Sequence, residues 1–392
     1  MAELAACPKE QLREREDAFH IQRVERLWSG GHLLRGREPG SGDLQLMSND
    51  YLCIQNEPAL REAQAEALLN SKTDLLMSSI FTMKGSPMQQ LEAAFADYME
   101  GEEAIICQSG FTANVGLLQS IASPSVPVYL DMNAHASLWE GVKAAGARGI
   151  PFRHNSPDHA ERLIRRYGPG VLVVDTVYST DGSLCPLAAI VDVATRTGCV
   201  LVVDESHSLG THGPGGAGLA VALGLADRID FRTASLAKTF AGRAGLIVCS
   251  RRFKEYFRME SNPAIFSSGL LEHEYVWFLE ALALIRRADD RRERLREVSD
   301  IVRWRLDELG FDVGGGTEQI IAIESGNEPD TLKMRDALQG SGVFGAVFCP
   351  PATPRNHCLV RLSVHSGLTD EELDTLTTRC ADALKLLKEV MA

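Results

Sequence analysis

Short apolar runs separated by helical stretches constrain this chain more than any other feature. From Glu103 onward the runs are Glu103 to Cys107, Val126 to Leu130, Val171 to Asp175, Val200 to Asp204, Phe231 to Ala234 and Leu246 to Cys249. Runs that are apolar throughout are strands buried on both faces. With helices between them they predict a mainly parallel sheet covered on both sides, an α/β fold.

The flanks read differently. Gln11 to Trp28 is charged and helical, and Ser29-Gly30-Gly31 and Glu38-Pro39-Gly40-Ser41-Gly42 then break the pattern, so residues 1–45 are expected to form an N-terminal arm. Glu272 to Leu309 is a long helical stretch containing Arg286-Arg287-Ala288-Asp289-Asp290-Arg291-Arg292-Glu293-Arg294. Its mixed signs at i,i+3 and i,i+4 predict a solvated helix joining two domains. Beyond Gly310 come short strands, Gln319 to Ile323 and Cys358 to Val364, and helices over Asp330 to Leu338 and Asp370 to Val390. The expected division is an arm (1–45), a large domain (46–271), and a connector with a smaller α+β domain (272–392).

Bulk properties narrow the function classes. A chain of 392 residues, 45% hydrophobic, has ample material for two or three packed domains. Its formal net charge of -13 argues against general affinity for nucleic acid or anionic membranes, while leaving room for a local basic pocket. The nine cysteines include no CxxC pair, and several sit in apolar runs, which predicts reduced thiols in a cytoplasmic protein. No apolar signal stretch and no 18-residue apolar window is present, so neither export nor a membrane span is expected.

Four segments can carry chemistry. In Val200-Leu201-Val202-Val203-Asp204-Glu205-Ser206-His207 an acid follows a buried strand, at the sheet edge where open α/β folds bind ligands. Asp204 there can hold a cationic ring nitrogen, with His207 facing the same ligand. Taken alone, the pair equally reads as a cap and a satisfied polar residue. Lys238 lies in Ser235-Leu236-Ala237-Lys238-Thr239-Phe240-Ala241-Gly242, a small-residue loop after a strand, where partial burial favours the neutral amine that a Schiff base requires. Thr233 and Ser235 offer hydroxyls to a phosphate. Ser109-Gly110, after a strand and opening a helix, presents free N–H groups to an anion. His135, in Asn133-Ala134-His135-Ala136-Ser137, reaches the same sheet edge as Asp204. Gly213 to Gly218 matches GxGxxG but contains a proline and lacks the strand-turn-helix context, so it is rejected as a dinucleotide site. The pairs His154/His159 and His207/His212 are five apart, off the i,i+4 spacing of helical ligands, and no metal is expected.

Together the DESHSLG, Ser-Leu-Ala-Lys, QSGFTANVG, NAHAS and YSTDG segments, in this order, resemble the α-oxoamine synthases, fold-type I pyridoxal phosphate (PLP) enzymes, from Ser48-Asn49-Asp50-Tyr51-Leu52 to Arg361-Leu362-Ser363. Within that family, Tyr167 to Gly170, Val174 to Thr180, Asp204 to Pro214, Thr233 to Phe240, Pro263 to Ser268 and Gly342 to Cys349 resemble the bacterial quorum-sensing autoinducer synthases of the α-hydroxyketone type. The resemblance implies a large domain with a mainly parallel seven-stranded sheet, a smaller α+β C-terminal domain and a homodimer with shared active sites.

By the same resemblance Lys238 holds PLP covalently, Asp204 pairs with the pyridine nitrogen, His207 and Ser179 contact the phenolic oxygen, and His135 stacks on the ring. Ser109, Gly110, Phe111, Thr233 and Ser235 surround the phosphate, with Ser267 or Ser268 reaching the neighbouring subunit's cofactor. Arg361 grips an amino acid carboxylate and Asn49 lies near the substrate. The implied activity is condensation of a medium- or long-chain acyl-CoA with an α-amino acid-type donor, 2-aminobutyrate or similar to S-adenosylmethionine, with decarboxylation to an aminoketone. Alternatives are an 8-amino-7-oxononanoate synthase or other primary-metabolism member, and a non-catalytic PLP-binding regulatory module. Where relatives carry a GSGGSR stretch this chain has Leu76-Met77-Ser78-Ser79-Ile80-Phe81-Thr82-Met83-Lys84-Gly85-Ser86, apolar enough for an acyl chain and equally suited to plain packing.

Overall fold

The computed structural model describes residues 7–71, 76–82 and 84–391. Its principal sheet has seven strands: β2 (Glu103–Cys107), β3 (Val128–Asp131), β4 (Gly149–Phe152), β5 (Val171–Asp175), β6 (Val200–Asp204), β7 (Phe231–Ser235) and β8 (Gly245–Cys249), with β1 (Leu44–Leu46) preceding them in a second sheet. The spatial order is β2-β8-β7-β6-β5-β3-β4. From β4 to β7 neighbours pair in parallel, and β8 is antiparallel to both β7 and β2.

The sheet places chemistry at one edge. β5 and β6 share the sequence VLVVD and pair in parallel and in register, so Asp175 and Asp204 stand side by side at their carboxyl ends. Every residue of β5 is buried, as expected of a central strand with helices on both faces. The reversal between β7 and β8 is made by a short loop, closed where the Leu236 N–H donates to the Ala244 carbonyl (2.9 Å), and Lys238 sits on it. A parallel continuation needs a crossover of a dozen residues or more. The antiparallel strand therefore keeps Lys238 on a tight reversal at the same edge as Asp204.

The second sheet runs β1-β10-β11-β9, from β9 (Ile320–Gly326), β10 (Val343–Phe348) and β11 (Cys358–Ser363) with β1. β1 pairs in parallel with β10, Leu44 opposite Val343, so the end of the expected arm is built into the C-terminal sheet and the boundary at 45/46 cuts through a strand. The strands β1, β4 and β10 did not stand out among the apolar runs. β4 carries a proline and only four residues, and β1 only three.

The connector corrects expectation. Glu272 to Leu309 is two helices, Glu272–Ile285 and Asp289–Leu309, with a break between them. Nor is its charged run wholly solvated. Arg292 is buried, donating to the carbonyls of Ile285 (2.6 Å) and Gly210 (3.4 Å) and pairing with Asp289. The N-terminal helix Pro8–Ala18 likewise continues as a wider π-type helix, Phe19–Leu27, instead of a single α-helix. Among the described residues no helix is long and apolar enough to cross a membrane.

Candidate active site

A cavity of about 190 Å³ opens at the carboxyl edge of β5, β6 and β7. Its walls include Ser109, Gly110, Phe111, His135, Ser179, Asp204, His207, Ser235 and Lys238, residues from five separate segments of the chain. Of the remaining expected site residues, Asn49 shares a neighbouring cavity of about 250 Å³ with Lys238, and Arg361 is bonded to Asn49 and Ser179. Three expected residues do not line this cavity. The Thr233 hydroxyl is buried and has no partner among the described residues, while Ser267, which donates to the Pro263 carbonyl, and Ser268, whose carbonyl accepts from Gln108 Nε2 (2.7 Å), are the residues expected to serve a neighbouring subunit.

The anion end is built by capping. Ser109 Oγ accepts from the Thr112 N–H (3.1 Å), and the Ser109 N–H donates to Thr112 Oγ1 (3.0 Å), starting the helix Gly110–Ile121. The Ala113 N–H donates to the Ser109 carbonyl, so Gly110 and Phe111 supply the helix's first two N–H groups, which have no intrahelical acceptor. Gly110 lets the turn approach β7, since a Cβ there would lie 2.6 Å from Ser235 Cβ. The rejected GxGxxG segment ends at Gly218, before the short helix Leu219–Ala222, where the Ala220 N–H already donates to Glu205 Oε1 (3.0 Å).

Asp204 is buried and held at both oxygens. Oδ1 accepts from the Ser206 N–H (2.8 Å) and Oδ2 from Asn114 Nδ2 (2.7 Å), which also donates to Ser137 Oγ (2.9 Å). Asn114 lies one turn beyond Gly110, so the helix that offers its N-terminus to an anion also steadies Asp204. Beside it, Asp175 is pushed well above the usual carboxylate range by burial and by Asp204 and Asp131, and accepts from the His135 N–H (3.2 Å). Asn114, Ser137 and Asp175 were not singled out in the sequence. Their signal was present as single residues within the quoted motifs, but only the fold shows which of them face Asp204.

The basic groups are tuned by their surroundings. Burial and the nearby Arg361 cation lower the Lys238 amine to about 8 against the opposing pull of Asp204. His207 is pushed well below its ordinary value by burial, Lys238 and Arg361, and is held neutral. His135 is lowered by enclosure in the cavity and by Lys238, with Asp204 opposing. Arg361 is buried, lies over the Phe348 ring (4.6 Å), and donates from Nη1 to the Ser179 carbonyl (2.7 Å) and from Nη2 to Asn49 Oδ1 (2.9 Å). Its Nε is buried and has no partner among the described residues.

Residues 41–379 match the family described as aminotransferase class I and II. The chain belongs to the aminotransferase class I and II family. It is 42% identical to the CAI-1 autoinducer synthase of Vibrio campbellii over 366 residues, covering 93% of each chain. It is 31% identical to a putative 8-amino-7-oxononanoate synthase of Halalkalibacterium halodurans, covering 84% of each. A serine palmitoyltransferase from S. paucimobilis, solved with bound PLP, superposes with a TM-score of 0.89 at 26% identity, over 96% of this chain and 99% of that one. This aminotransferase-family chain is accordingly a PLP-dependent acyltransferase of the α-oxoamine synthase group with the fold-type I architecture. Its cavity fits the cofactor: a buried lysine amine for the carbonyl, a fixed carboxylate for the ring nitrogen, and at Gly110 a cradle that a Cβ would fill.

Proposed function

We propose that the enzyme condenses a medium- or long-chain acyl-CoA with an α-amino acid-type donor, releasing carbon dioxide and an α-aminoketone that is the precursor of a quorum-sensing signal. The observation that carries this reading is the meeting of Lys238, Asp204, His207, His135 and Ser179 around one cavity, with Arg361 bonded to its wall. The 42% identity to an autoinducer synthase supports its narrower form.

PLP, when bound, supplies a ring that draws off the electron pair freed at the donor's α-carbon. Asp204 keeps the ring nitrogen protonated. His207 and Ser179 would hold the phenolic oxygen, His135 would lie against the ring, and Ser109, Gly110, Phe111 and Ser235 would take the phosphate. Arg361 would orient the donor through its carboxylate, and Asn49, accepting from its Nη2, steadies that arginine. Lys238 would take the α-proton at Nζ, and its lowered affinity for protons suits a base working near neutral pH. The α-carbon would then attack the thioester carbonyl, coenzyme A would leave as its thiolate, the carboxylate would depart as carbon dioxide, and the electron pair left on the α-carbon would take back the proton held at Lys238 Nζ. A cavity of about 280 Å³ lined by Arg61, Arg243 and Trp277 shares Ala241, Gly242 and Arg243 with the one beside Lys238, and supports an approach for an anionic thioester.

The acyl chain is assigned to the stretch from Leu76, of which Leu76, Met77 and Phe81 are exposed; Met83 lies outside the described residues. With Phe266 and Met259, also exposed, they support a homodimer in which Ser267 or Ser268 serves the partner's cofactor. A second reading, synthesis of 8-amino-7-oxononanoate, is favoured by the 31% relative. Turnover with acyl-CoAs of graded length against 2-aminobutyrate and S-adenosylmethionine separates the two. A rate that rises with chain length is expected, a strict preference for pimeloyl or succinyl groups overturns the signalling reading, and no turnover with any pair leaves the regulatory module. Borohydride reduction followed by peptide mapping is expected to fix the cofactor on Lys238.

A further inference from the structure

Tyr51 lies outside the cavity wall, fully buried, with its hydroxyl 2.7 Å from His207 Nδ1. The same hydroxyl lies 3.3 Å from Asn49 Oδ1, which already accepts from Arg361 Nη2 (2.9 Å). Counting protons resolves this chain. An arginine only donates, so the Asn49 atom facing it is the carbonyl oxygen, and Asn49 offers Tyr51 an acceptor alone. Tyr51 has one proton to give. Burial raises its pKa, so the hydroxyl keeps that proton. A neutral His207 has one bare nitrogen and one N–H.

Two arrangements are left. In one, Tyr51 donates to Nδ1 and His207 carries its proton on Nε2. In the other, Nδ1–H donates to Tyr51, Tyr51 donates to Asn49, and Nε2 is bare. The short contact to Nδ1 and the long one to Asn49, whose oxygen is already satisfied by a cation, favour the first. The imidazole is also pinned from its backbone side, since the His207 carbonyl accepts from Gln319 Nε2 (2.7 Å) and Thr211 Oγ1 (3.1 Å).

We propose that Tyr51 is a positioning residue that donates its hydroxyl proton to His207 Nδ1, fixing the tautomer whose N–H lies at Nε2 and so presenting a hydrogen-bond donor to an anionic oxygen in the cavity. The inference rests on the reading of His207 as the neighbour of the cofactor's phenolic oxygen. A bare Nε2 would repel that oxygen, whereas a fixed N–H binds it without reorganisation. Through Asn49 the same hydroxyl is linked to Arg361, so Tyr51 and Asn49 of the SNDYL segment join the His207 imidazole to that arginine.

The test reads nitrogen signals of His207 by ¹⁵N NMR in the cofactor-free protein and in the holoenzyme. The expected result is a protonated Nε2 and a bare, hydrogen-bonded Nδ1 in both. In Tyr51→Phe the Nδ1 signal is expected to move downfield to that of an acceptor without a partner, PLP affinity to fall roughly three- to tenfold, the worth of one hydrogen bond, and kcat to fall without a change in KM for the acyl donor. A wild-type proton on Nδ1 overturns the proposal, as does a Tyr51→Phe protein whose Nδ1 signal and PLP affinity are both unchanged. If Tyr51→Phe does not fold, the wild-type spectrum decides. The tautomer is measured without substrate, so a wrong substrate assignment leaves this result standing; a failure of PLP to bind at Lys238 would instead sink the reading beneath it.

Discussion

At the residue scale the site depends on shifting proton affinities by burial. Lys238 in the cofactor-free protein is lowered to about 8 from an ordinary 10.5, so between those values the unfolded chain binds more protons than the folded one. Its contribution is complete above about 10.5 and is lost as pH falls through about 8; near neutrality the folded protein carries a buried ammonium at a penalty. Lys238→Met is expected to abolish turnover while stabilising the cofactor-free protein at pH 7 by roughly 1–3 kcal/mol, with the gain vanishing by about pH 10.5. Denaturant unfolding at the two pH values measures it, and a loss of stability at pH 7 would refute the assigned shift. Lys238 and Asp204 could be picked out as candidates from their segments, a small-residue loop and a strand-terminal acid, and the structure places both on one cavity. Asn114, Ser137 and Tyr51 could not be picked out, since their partners lie 90, 23 and 156 residues away in the chain.

At the scale of elements, the strand–turn–helix at Ser109 makes the proposed phosphate site and shows why glycine is needed there. Gly110 stands where a Cβ would press on Ser235 at 2.6 Å from Cβ and 2.8 Å from Cα, one of them backbone. Gly110→Ala is expected to destabilise the fold by about 1–3 kcal/mol and to weaken PLP binding more than it weakens acyl-CoA binding. Thermal melting and cofactor titration check both parts; unchanged PLP affinity would place the phosphate elsewhere. The buried strands were legible because runs such as VLVVD have no solvent face. The split connector was not, because charge patterning at i,i+4 is the same in one long helix and in two, and it does not reveal that Arg292 turns inward to the Ile285 and Gly210 carbonyls.

At the scale of the molecule, the N-terminal segment is tied to the C-terminal one across the chain. Glu328 accepts from Arg23 Nη2 (2.8 Å) at Oε1 and from Trp28 Nε1 (2.7 Å) at Oε2, and β1 extends the sheet that carries Arg361. Glu328→Ala is expected to raise amide exchange tenfold or more, the loss of about 1.4 kcal/mol, across residues 8–27, with β5 and β6 unchanged. Hydrogen–deuterium exchange reads this directly, and equal protection in both proteins would mean that the arm is held by other contacts.

Local patterns in the chain were enough to read the mainly parallel sheet and to mark its carboxyl edge as the place for a ligand, because buried strands repeat over a few residues; Lys238 and Asp204 stood out there as candidates, and their roles came from the family resemblance. Which polar groups hold Lys238 and Asp204 in place, the joining of β1 to the far sheet, and the meeting of Tyr51 with His207 came from the folded arrangement alone. Contacts of that kind join segments remote in the chain, and hydrogen-bond geometry has no local pattern in the sequence from which to read it.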